Sequence, residues 1–103
     1  SDAPALALSG LNLSISAATA PVGGADVWLV RYDPRIVQVP IKAGENGGCT
    51  LPHRNVVREL VRVGGWSGKG ATFQLPAATD PAYRTAILIQ GSSGGPIITA
   101  LKS

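Results

Sequence analysis

The chain holds one cysteine, one histidine, no methionine and five aromatic residues, and charged residues make up only 15% of its 103 positions. A single cysteine cannot close an internal disulfide, so a stapled mini-protein is excluded. No apolar run reaches the roughly 18 residues of a membrane-spanning helix, and the start carries no basic stretch followed by an apolar core of the kind that marks an export signal. Because methionine is missing altogether, Ser1 is read as a processed or excised start rather than a translation start. Five aromatics also leave too few stacking groups for a nucleic-acid reader. The formal charge of +3, with six of the nine Lys and Arg residues between Arg31 and Arg62, is a mild surplus rather than a dense basic face.

What is abundant points in one direction. Hydrophobic residues make up 45% of the chain, and glycine and proline number 13 and 8, which describes short elements joined by tight turns. Alternation of period two recurs. Residues 5–15 place Leu6 and Leu8, then Leu11, Leu13 and Ile15, on one side, with a phase change at Ser9-Gly10 that reads as a bulge in one bent strand. Residues 25–32 carry Val27 and Leu29 on one face and Trp28, Val30 and Tyr32 on the other, as a central strand does. Asp33-Pro34-Arg35 has type I turn chemistry, which predicts a hairpin with residues 36–41, where Pro40 marks an edge or a break in pairing.

Residues 55–63 fit both a helical and a strand pattern. Their valines and the Gly64-Gly65 stop favour the strand. Further strands are predicted at 71–75, 84–90 and 96–101, with a turn at 66–70, a surface connection at 76–83 and a turn at 91–95. The expected fold class is all-β: a β-sandwich of about seven mostly antiparallel strands in one domain, residues 1–103.

Polar chemistry concentrates between 44 and 58. Cys49 and His53 supply a thiol and an imidazole, which suit a nucleophile and base or two legs of a copper or zinc site. Gly47, Gly48 and Pro52 oppose the helix that would place the pair on one face. No third orienting group stands out, so a small partly buried thiol and a loop-tying imidazole are the ordinary alternative. Glu45, Arg54 and Arg58 form an acid and guanidinium set that either holds an anion or ties a loop to its own strands. Glu45, Asn46, His53, Arg54, Asn55 and Arg58 are the candidate binding loop, and no catalytic set closes. The glycine clusters at 44–48, 64–70 and 91–95 lack the Gly-Lys-Ser/Thr ending of a phosphate cradle. Ser92-Ser93 fits a hairpin turn better than a nucleophile, and Trp28 and Trp66 fit packing better than a ligand platform.

Val27-Trp28-Leu29-Val30-Arg31-Tyr32-Asp33-Pro34-Arg35, Gly44-Glu45-Asn46, the run from Thr50 to Leu60 and Gly65-Trp66, in that order and spacing, resemble the C-terminal part of the DUF1223 family of secreted bacterial proteins. The resemblance implies that a thioredoxin-like domain with a Cys-rich active loop precedes a β-rich part, and that this chain matches the latter, as the C-terminal segment of a longer exported precursor. It implies a periplasmic or secreted location, and any thiol-disulfide chemistry in the preceding domain. It lends no redox role to Cys49, where family members carry other residue types.

Three functions follow as expectations. The first is a non-catalytic accessory or binding domain that presents residues 44–58 to a thioredoxin-like domain or another protein. The second is a small copper- or zinc-binding or thiol-reactive protein using Cys49 and His53. The third is a structural or assembly subunit that buries its Trp28- and Trp66-bearing faces against copies of itself or a larger complex, with the Pro40 edge as one candidate contact. A nucleic-acid partner, a membrane span and an activity of the domain by itself are not expected.

Overall fold

The computed structural model describes residues 3–35, 37–40 and 50–103, of which 37–40 and 50–53 are described as backbone. Nine strands follow in order: β1 (Leu6–Ser9), β2 (Asn12–Ile15), β3 (Ala25–Asp33), β4 (Val37–Pro40), β5 (Thr50–His53), β6 (Val56–Trp66), β7 (Ala71–Gln74), β8 (Arg84–Gly91) and β9 (Ile97–Lys102). There is no helix among the described residues, so none is long and apolar enough to cross a membrane. Seven of the strands form two antiparallel sheets, ordered β1-β2-β7 and β6-β3-β8-β9, and β4 and β5 form a separate two-stranded ribbon. The all-β fold expected from alternation is the one observed.

The core lies between the two sheets. Leu13, Ile15 and Leu75 from the smaller layer meet Val27, Leu29, Trp66, Ile87 and Ile89 from the larger one, all buried. Each fully buried aliphatic side chain contributes about 1.5–3 kcal/mol relative to exposure. Register explains which residues take part. Val27 pairs with Ile89, and Leu29 with Ile87, so the period-two faces of β3 and β8 stay in phase across the sheet.

Three expectations need correction. Residues 5–15 are not one bent strand, because Ser9 pairs with Asn12 and the chain reverses at Gly10-Leu11. Gly10 has φ of 60°, and a positive φ at the first of two central positions is what a II′ hairpin turn requires. The phase change was a reversal, not a bulge. Second, residues 25–32 do not form a hairpin with 36–41. β3 pairs with β6 and β8, while β4 pairs with β5.

Asp33 pairs with Val56 and Val37 with His53, so β4 and β5 continue the β3–β6 pairing beyond the sheet as one long antiparallel arm. Asp33-Pro34-Arg35 is therefore a joint within that arm. Among the described residues β4 has β5 as its one partner, which suits Pro40, a residue without an N–H to give to a second.

Third, Gly64-Gly65 does not stop a strand, since β6 runs through it to Trp66. Gly64 sits on the inner face opposite Val27, and a Cβ built on it would lie 2.8 Å from Cε1 of Phe73. The missing side chain is the seat of the Phe73 ring. It is not a break in the strand.

Candidate interaction surface

The inner face of the larger sheet ends in charge. Arg31 follows Val27 and Leu29 on the same face and is only 2% exposed. Its Nε–H donates to Thr85 Oγ1 at 2.9 Å, and Nη2 donates to the carbonyl of Pro76 at 2.9 Å. Nη1 stands 3.9 Å from Glu59 Oε1. The other oxygen of Glu59 accepts from the backbone N–H of Thr79 at 2.9 Å and from its hydroxyl at 2.7 Å. Chiefly through these Thr79 bonds, with Arg31 adding to them, the Glu59 carboxyl is held below its ordinary pKa against the opposing effect of desolvation. This network fastens the 76–83 connection to the sheet, a structural use of a buried guanidinium.

The joint of the arm is clamped in the same way. Asp33, 4% exposed, accepts from the backbone N–H of Arg35 at 3.0 Å, from Arg35 Nε at 2.7 Å and from Nη2 at 2.8 Å. Asp80, on the 76–83 connection, lies 3.5 Å from Nη2 of the same guanidinium. The side-chain bond to Arg35 lowers the Asp33 pKa to about 2, and its partner's is raised above the ordinary arginine value. Arg58 adds a further favourable charge for the Asp33 carboxylate.

Of the candidate loop residues, Arg54, Asn55 and Arg58 come together at this end of the sheet, and all three are exposed. Arg54 and Asn55 link β5 to β6, and Asn55 has φ of 58°, a conformation asparagine tolerates better than most residues. Arg58 is the residue left without a cross-strand partner where the β3–β6 register shifts. His53 closes β5, paired with Val37. Glu45, Asn46 and Cys49 lie outside the described residues. Among the described residues, no group of three or more His, Cys, Asp or Glu side chains is placed to hold a metal ion.

Of the two tryptophan-bearing faces expected as contact surfaces, the one with Trp28 is the outer face of the larger sheet, whereas Trp66 is buried in the core, where the inner face of β6 meets the smaller layer. Register places Trp28 in one row with Arg62 and Leu88, Val30 with Leu60 and Ala86, and Tyr32 with Val57 and Arg84. Leu60 is 61% and Val57 55% exposed. A shallow cleft of about 230 Å³ opens here, lined by Val30, Tyr32, Asn55, Val57, Ala86 and Lys102. The Lys102 ammonium stands 5.7 Å from the centroid of the Tyr32 ring. The signal for this face was present in the sequence, since residues 25–32 are apolar on both sides. By contrast, a groove of about 370 Å³ at the opposite end, between Ala3, Pro21, Pro96 and Ile98, has no ionisable side chain in its lining.

These features define a two-layer β module that, among the described residues, leaves one sheet face uncovered, extends a hairpin arm and assembles no catalytic set. The chain belongs to the DUF1223 family, whose description is a protein of unknown function and whose model matches residues 5–90. Among curated proteins, none matches. A crystal structure of a protein from Agrobacterium tumefaciens, solved by a structural genomics consortium, is similar to it. That match has 25% sequence identity and a TM-score of 0.65, and covers 96% of this chain and 44% of the other. The chain thus spans less than half the length of that relative.

Proposed function

We propose that this chain is a non-catalytic accessory module that binds a partner protein, a thioredoxin-like domain, at the end of the sheet where its hairpin arm begins. The observation that supports the reading is the arm itself. β4 and β5 prolong the β3–β6 pairing, and exposed Arg54, Asn55 and Arg58 gather at its joint beside the Asp33–Arg35–Asp80 clamp. A clamped joint limits how much conformational entropy the exposed side chains lose when a partner engages them. The location that goes with this role is the periplasm or the exterior of a bacterial cell. The test is co-purification of the chain with a thioredoxin-like domain from a DUF1223 protein. Binding that weakens at least about fivefold in Arg54→Ala and His53→Ala is expected, a hot-spot-sized loss of about 1 kcal/mol. No association at high concentration, with both variants behaving like the parent, sinks the reading.

A further inference from the structure

The inner face of the β6-β3-β8-β9 sheet is closed by the β1-β2-β7 layer, whereas no element among the described residues covers its outer face. That outer face is no ordinary solvated surface. Its central rows run Trp28 and Leu88, then Leu60, Val30 and Ala86, with Tyr32 and Val57 beyond them. Ionisable groups stand at the margins: Arg62, paired with Asp26 at 2.9 Å, along one edge strand, and Arg84 and Lys102 towards the Tyr32 end. An apolar and aromatic centre with a charged rim is the anatomy of a protein interface rather than of a scattered surface.

We propose that this outer face is the seat of a second folded module, of the kind that makes up the rest of the longer relative, which meets it with an apolar centre and carboxylates at its edge. This rests on the accessory-module reading and extends its contact from the arm end onto the adjoining sheet face. Two observations select the occupant. The similar Agrobacterium chain contains this fold as 44% of its length, so more than half of that protein lies outside the matched part.

Charge argues against the alternative, a second copy. Each copy carries a net charge of +3, so two copies repel each other where a module rimmed with carboxylates is attracted. With strands ~4.8 Å apart and ~3.3 Å of rise per residue, the face offers about 400 Å² of flat sheet. A stable interface buries about 800 Å² per partner. An occupant therefore has to reach past the flat rows to exposed Asn55, which adjoins the arm.

The test has two parts. The first is the Agrobacterium crystal structure, superposed on this chain. The positions aligned with Trp28, Val30, Leu60 and Leu88 are expected to be covered by the additional segment, with exposure at the Leu60 position falling from 61% to under about a tenth. If those positions face solvent while the segment rests on the arm end, this face is overturned and the accessory reading stands. If the segment touches neither, both fall.

The second is sedimentation of the 103-residue chain beside its Leu60→Arg variant, a change at an exposed position that leaves folding undisturbed. A monomer in both is expected. A parent dimer that Leu60→Arg disperses assigns the face to a second copy and overturns the proposal.

Discussion

The two faces of β3 are built from similar residues yet meet different surroundings. Val27 and Leu29 point inward and are fully buried beneath a second layer, while Trp28 and Val30 point outward and are only half-buried. Hydrophobicity alone therefore does not decide what a side chain contributes to folding. What decides it is whether another layer closes over it, because removing atoms from a closed interior costs both transfer free energy and a cavity.

The sharpest way to break this comparison is truncation on either side. Leu29→Ala is expected to cost about 2–5 kcal/mol in urea unfolding, while Leu60→Ala, 61% exposed on the outer face, stays within about 0.5 kcal/mol. Equal losses would show that the outer face is closed too.

The adjacent glycines of β6 repeat the contrast at smaller scale. An added Cβ at Gly64 meets the Phe73 ring at 2.8 Å, whereas at Gly65 the nearest atoms are Arg62 Nη2 at 3.6 Å and the Ala25 carbonyl at 3.7 Å. Gly64→Ala is expected to destabilise by about 1–3 kcal/mol as the ring is forced aside. Gly65→Ala is expected to stay within about 0.5 kcal/mol, and a reversal of that order in thermal melts would contradict the packing.

The smallest effect, confined to acid, separates the clamps from the core. Asp33 has its pKa lowered to about 2 from an ordinary 3.8, so the folded state takes up this proton later than the unfolded chain. Its contribution is complete above the ordinary value and is lost as pH falls from about 4 through about 2. Glu59, also lowered, acts with the same sign. Urea midpoints measured at neutral pH and near pH 2.5 should converge for parent and Asp33→Asn as the acid is added. A constant gap between them would remove the clamp from the account.

Much of the fold was legible because burial on one side writes period-two alternation into the chain. Val27 with Leu29 and Ile87 with Ile89 are examples, and they pair as that alternation demands. What alternation does not carry is partnership. A reversal at Gly10-Leu11 and a bulge at the same place shift the phase alike, and only the positive φ of Gly10 distinguishes them. Asp33-Pro34-Arg35 has turn chemistry, yet the carboxylate of Asp33 takes hold of its neighbour's guanidinium to fix a joint rather than a reversal.

The candidate site was less legible still. Arg54, Asn55 and Arg58 were visible as a polar cluster, but Arg31 sat in an apolar run with nothing to announce that Thr85, Pro76 and Glu59, from distant segments, would enclose it. Trp28 marked the outer face as a contact surface, but its extent over Val30, Leu60 and Leu88 was not legible, because valine and leucine read as interior whether or not a layer covers them.

The position of β3 also bears on how the molecule is made. Its two neighbours, β6 and β8, lie some 30 and 60 positions further along the chain, so during synthesis this strand is complete, both edges bare, before either flank has been added. Non-local pairing of that kind slows folding, and the waiting strand is the segment a chaperone would have most reason to hold.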